Sequence, residues 1–169
     1  MTVFWPYICL AILCILLVWL SVVDLRTGYL PDPLQAALAV SGLIIAIVGS
    51  PVGVSWVSGL AGAAVNGGIF WALRWLVTRM KGREAMGLGD VKLVAAGGLW
   101  LGPWGLAYIM AAGGLLTLLG AGIVGLVTRK PVWQGEMPLG PGLAVGILGT
   151  FVAALLHISW LNLTPISPG

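Results

Sequence analysis

Residues 4–32 read FWPYICLAILCILLVWLSVVDLRTGYLPD. From Phe4 to Val23 no residue is charged. The run has the roughly 20 residues that a helix needs to cross the hydrocarbon core of a bilayer. Asp24, Arg26 and Asp32 then follow close together. The stretch predicts a membrane helix running into a charged turn, with an acid where the two meet. No basic residue precedes the run, and no small-x-small cleavage site introduces a mature domain after it. It is therefore read as a retained span and not as a cleaved signal segment.

The same alternation continues to the end of the chain. Further apolar runs cover Leu34–Gly49, Val52–Val77, Val91–Leu101, Trp104–Val127 and Leu139–Leu161. Only 8% of the 169 residues are charged and 60% are hydrophobic, whereas a soluble domain carries about 25% charge. The fourth run is short for a full crossing, and either extends back through Met86–Gly89 or forms a partial span. Between the third and fourth runs stand Arg79, Lys81, Arg83 and Glu84, with Arg74 a turn earlier and Asp90 and Lys92 just after. Arg129, Lys130 and Glu136 separate the fifth run from the sixth, while Ser50–Pro51 and Gly102–Pro103 carry no charge. Turns thus alternate between basic and neutral. Lys and Arg collect on the cytoplasmic side. This predicts an all-α membrane protein, a polytopic bundle of about six transmembrane helices with N-terminus out and C-terminus out, in the cytoplasmic (inner) membrane. Residues 1–169 are read as a single domain.

The net charge of +3 comes without a basic stripe interleaved with aromatics, which argues against nucleic acid as a partner. Gly59, Gly62 and Ala63, then Gly113, Gly142 and Gly146, are the small residues that let membrane helices approach closely. Trp5, Trp56, Trp75, Trp104 and Trp160 fit interfacial aromatic belts. Cys9 and Cys14, five apart in one run, point to different helix faces and read as packing residues.

Few side chains remain for chemistry. His157 stands alone, with no neighbouring ligand set for a metal. No GxSxG or HExxH string is present, so no cofactor or metal is expected. The remaining groups are Asp24, which closes the first span, and Asp90, which opens the fourth in Gly87-Leu-Gly-Asp-Val-Lys92. One ionised carboxylate can take a proton from water while a protonated partner hydrogen-bonds a scissile carbonyl. Two close carboxyls resist double ionisation and share a proton. The two acids are 66 positions apart, so only the fold can join them. Gly87 and Gly89 lack Cβ atoms, and an extended substrate strand could lie against them. The plainer alternatives are that Asp24 caps a loop or pairs with Arg26, and that Asp90 is a first-turn acid favoured by the helix dipole. Lys92, two positions from Asp90, does not share its helix face.

Three strings together resemble the prepilin peptidases, or type IV leader peptidases, of the GxGD class of intramembrane aspartyl proteases. They are Asp24-Leu-Arg-x-x-x-Leu-Pro-Asp32, Gly87-Leu-Gly-Asp-Val-Lys-Leu93 and Met137-Pro-Leu-Gly-Pro-Gly142. Leu30 and Asp32 replace the family's Ile and Asn, and Leu139 its Phe. The resemblance implies that Asp24 and Asp90 are the catalytic pair and that the substrate is a prepilin or pseudopilin, cut beside its hydrophobic stretch at the cytoplasmic membrane face. Long members carry an amino-terminal segment with two CxxC pairs and a methyltransferase activity. The chain is similar to the short, peptidase-only form, and N-methylation is not expected of it. Gly87, Gly89, Glu84 and Glu136 are the residues expected near the substrate, the two glutamates facing the leader's basic residues. Arg79, Lys81 and Arg83 would hold anionic lipid headgroups. A small non-catalytic transporter or assembly subunit is the alternative reading, disfavoured because the charges stay at one face. A presenilin-like protease is disfavoured too: Val23 precedes Asp24 where those enzymes have Tyr, and their Pro-Ala-Leu string is absent.

Overall fold

A computed structural model describes residues 4–81, 87–105, 107–110, 113 and 139–156. The elements among them are helices: α1 (Trp5–Thr27), α2 (Asp32–Val48), α3 (Trp56–Lys81), α4 (Leu88–Leu101) and α5 (Gly140–Leu155). Residues 107–110 are helical as well. Two helices, Trp5–Thr27 and Trp56–Met80, are long and apolar enough to cross a membrane, and α2 and α5 are shorter apolar helices. Ile15, Trp19, Ile44, Ile47 and Trp71 all turn outward. An apolar exterior of this kind suits lipid and not water, and the chain is a membrane protein.

Helix boundaries differ from the apolar runs at the charged ends. The first helix continues past Val23 to Thr27, because Asp24, Leu25 and Arg26 complete its last turn. Gly28 then stops it with φ 64°, its N–H donating to the Asp24 carbonyl at 2.7 Å. That left-handed geometry favours glycine. The fourth helix extends back to Leu88, with Gly87 an extended N-cap before it, so it takes in only part of Met86–Gly89, and Met86 lies outside the described residues. The 14 residues of this helix span about 21 Å. Both shifts place an acid inside a helix end.

The central helix is α4, packed against α2, α3 and α5, while α1 packs on α2 and α5. Small residues make these approaches possible. A Cβ at Gly62 would overlap the Gly98 carbonyl, and one at Gly59 would lie 3.0 Å from the Leu99 carbonyl oxygen. The Trp100 indole fills the space over Gly42, donates to the Leu38 carbonyl at 2.9 Å and meets Phe151 edge-on at 5.7 Å. Asn66, fully buried, donates to the Gly102 carbonyl at 3.2 Å and so satisfies a carbonyl just past the end of α4. Ile109 and Gly113 make a similar approach to Gly142 and Gly146 of α5. Cys9 and Cys14 are free.

Trp5 donates from Nε1 to the Gly49 carbonyl at 2.7 Å, joining the start of α1 to the end of α2. Close pairs from Gly59–Leu99 to Gly67–Ala95 run antiparallel between α3 and α4. Consequently α1 and α3 finish at the end of the bundle where α2, α4 and α5 begin. The described charged side chains Asp24, Arg26, Asp32, Arg79, Asp90 and Lys92 belong to that end, with Arg74 further back along α3.

Candidate active site

The site is built from three helix ends. Asp24 lies in the last turn of α1, 6% exposed, and Asp90 in the first turn of α4, 7% exposed. The Asp24 carboxyl is near enough for its charge to act on that of Asp90. The fold therefore brings together two acids that are 66 positions apart in the chain.

Each acid receives a backbone donor from a helix N-terminus. Gly87 is the N-cap of α4, and its N–H reaches the carboxyl of Asp90, the third residue of the helix. This is the return arm of a capping box, in which the N3 acid reaches back to the N-cap amide. It explains why an acid three residues after Gly87 is locally favoured. Asp24 receives the N–H of Gly140, the first residue of α5. The fit there is tight: a Cβ at Gly140 would lie 2.5 Å from Asp24 Oδ2. That oxygen is buried and without a hydrogen-bond partner. An unpaired buried oxygen beside a second carboxyl is an acceptor held ready for a proton or for water.

Two links hold the start of α4 against the α1–α2 turn. Gln35 is 4% exposed, and its Nε2 donates to the Gly89 carbonyl at 3.2 Å and to the Leu30 carbonyl at 3.5 Å. Gly89 must be small here, since a Cβ would stand 2.9 Å from Leu30 Cβ. Lys92 Nζ meets Asp32 Oδ1 at 2.6 Å at the exposed rim. The chain around Asp90 is thus tied on both sides to the turn that follows Asp24.

Of the residues the sequence singled out, Asp24, Asp90, Gly87 and Gly89 come together, while Glu84, Glu136 and His157 lie outside the described residues. Gly87 and Gly89 differ in their surroundings: Gly87 is exposed, while Gly89 is packed against Leu30 and Gln35. Sequence reasoning missed Gln35, although an amide in an otherwise apolar run was a signal. It named the segment containing Gly140 without foreseeing that this glycine meets Asp24. Lys92, to which no role was given, pairs with Asp32. Among the described residues no group of three or more His, Cys, Asp or Glu side chains assembles.

The model of the type IV leader peptidase family matches residues 11–129. The chain belongs to that family. It is 34% identical over 140 residues to a prepilin leader peptidase/N-methyltransferase of Burkholderia pseudomallei (strain 1026b), covering 79% of this chain and 42% of the relative. A protein of the same name from Pectobacterium carotovorum subsp. carotovorum is 37% identical over 142 residues, covering 81% of this chain and 48% of its own length. One from Aeromonas salmonicida (strain A449) is 33% identical over 144 residues, covering 83% and 47%. The chain thus spans less than half the length of these curated relatives. No solved structure matches it. The leader peptidase match takes in both acids and all of α2, α3 and α4; Gly140 lies beyond it.

Proposed function

We propose that this leader peptidase family member is an intramembrane aspartyl endopeptidase. It removes the short basic leader from prepilin-like proteins at the cytoplasmic face of the inner membrane, with Asp24 and Asp90 as the catalytic pair. The observation that carries the reading is the meeting of two buried carboxyls, each with a helix-end amide, at the charged end of the bundle. The six-span arrangement with both termini outside belongs to the same proposal, since it sets the charged end in the cytoplasm. The N-methyltransferase activity in the relatives' names is not carried over.

In the reaction, one carboxylate removes a proton from water as the water oxygen adds to the scissile carbonyl carbon. The other, protonated, donates to the carbonyl oxygen. Collapse of the tetrahedral intermediate breaks the C–N bond, and the proton taken from water passes to the leaving amine. The products are a new carboxyl on the leader and a new amino terminus on the substrate. A helix hides its peptide bonds, so the cut falls where the substrate is unwound beside the membrane surface. A transport path is not favoured, because the described charged side chains gather toward one end of the bundle and none lies at its middle.

The test is coexpression with a prepilin-like substrate and a gel-mobility assay. Asp24→Asn and Asp90→Asn should each reduce cleavage at least about 100-fold at unchanged protein level. Normal processing by either variant defeats the proposal. Chelators should leave cleavage intact; loss restored by an added metal would point to different chemistry.

A further inference from the structure

A groove of about 490 Å³ opens between α2, α3 and α4, reaching the end of the bundle that carries Asp32 and Lys92. Its α2 wall carries Asp32, Gln35, Ala36 and Ala39, and its α4 wall includes Lys92 and Ala95. On each helix the spacing is that of one face. The walls are mostly small and apolar, and the polar groups Asp32, Gln35 and Lys92 gather at the charged end of the bundle.

A stripe of alanines alone would be ordinary bundle packing. Gln35 makes this groove different. The residue is 4% exposed, its Oε1 is buried, and that oxygen has no hydrogen-bond partner. The nitrogen of the same amide is committed to the carbonyl of Gly89, the residue before Asp90. A buried acceptor without a partner therefore lies at the polar end of an apolar trough, on a side chain bonded to the residue before Asp90.

We propose that the groove receives the transmembrane helix of the substrate, and that Gln35 Oε1 accepts a backbone N–H from the unwound end of that helix. This rests on the leader peptidase reading. Alanine walls let a second helix come close enough for backbone and side chains to pack. An unwound helix end carries peptide N–H groups that have lost their own carbonyl partners. A lipid acyl chain could fill the same trough, but it has no donor for the Gln35 oxygen. The arrangement also sets the register of cleavage: the substrate's peptide bond reaches the acids where its helix ends.

The experiment uses the Asp24→Asn full-length chain, which should hold its substrate uncut, with a photoreactive benzophenone residue replacing Ala36. The probe is a prepilin-like protein with its complete apolar helix, in membranes. Adducts on the substrate's helix at positions three to four residues apart support the groove. Adducts with lipid alone, or no adduct, overturn it. In the active chain, Ala36→Phe and Ala39→Phe should raise KM at least about tenfold, with a smaller effect on kcat. Ala36 is exposed, so its replacement does not burden the core, and it decides the outcome if Ala39→Phe fails to accumulate. An unchanged KM overturns the groove. If the two Asp→Asn variants are inactive and Ala36→Phe behaves as the parent, the groove fails and the peptidase stands. If either Asp→Asn variant cleaves, the peptidase reading fails on its own terms.

Discussion

At Gly140 one missing methyl group separates a seated Asp24 from a displaced one. A Cβ there would stand 2.5 Å from Oδ2 and 2.9 Å from Cγ of the acid. The aspartate can rotate, so the fold should survive Gly140→Ala, but the carboxyl would leave its position. Misplacement by about 1 Å can cost a reaction up to 100-fold. Gly140→Ala should thus lower kcat at least about tenfold with little change in thermal stability, measured on purified protein with a prepilin-like substrate. Gln35→Leu would strip the Gly89 carbonyl of its side-chain donor, and should cost about 1–3 kcal/mol in unfolding measurements. By contrast, the Lys92–Asp32 pair has side chains 44% and 60% exposed. Lys92→Met should cost at most about 1 kcal/mol, because water and salt screen such pairs. Asp24, Asp90 and the glycines before Asp90 were legible in the sequence because charge is rare in an apolar chain and therefore conspicuous. Gly140 and Gln35 were not, since each acts through a partner more than fifty positions away, and no local pattern encodes that pairing.

Helices meet through glycine here, and the closeness varies from one glycine to the next along α3. Gly62 faces the Gly98 carbonyl and the Gly102 backbone, whereas a Cβ at Gly68 would meet nothing within 4 Å. Alanine favours the helix over glycine by up to about 1 kcal/mol. Gly68→Ala should then be neutral or slightly stabilising. Gly62→Ala must push α3 from α4 and should lose about 1–3 kcal/mol. Unfolding of both variants in the same detergent checks the contrast; equal effects would mean that the α3–α4 contact is looser than these distances state. Apolar length foretold the helices, and the small-residue positions foretold which faces approach. The ends were less legible. Asp24 and Asp90 look like turn residues when hydropathy alone is read. They become helical because Gly28 stops α1 only after Thr27 and because Gly87 caps α4 before Leu88.

For the whole molecule, the proposed orientation rests on where the charges lie. The α1–α2 turn and the end of α3 share one end of the bundle, and Trp75 and Arg79 decorate it, with the guanidinium 5.2 Å from the indole centroid. Both residues are exposed, as suits a headgroup layer where an aromatic ring and a cation each find their preferred depth. The opposite end holds Phe4, the Trp5–Gly49 link and Trp104, with no charged side chain among the described residues there. The charged turns after the first and third apolar runs made this separation readable before any coordinates, while the third charged turn, with Arg129, Lys130 and Glu136, lies outside the described residues. The expected labelling is specific. In a chain with Cys9 and Cys14 changed to alanine, Thr27→Cys and Met80→Cys should react with a membrane-impermeant maleimide only in inverted vesicles, and Phe4→Cys only in intact spheroplasts. All three parent residues are exposed, so accessibility is decided by the membrane and not by packing. Labelling of Met80→Cys from the outside would place Asp24 and Asp90 in the compartment that a leader retained in the cytoplasm never enters, and the proposed cleavage would have no substrate to act on.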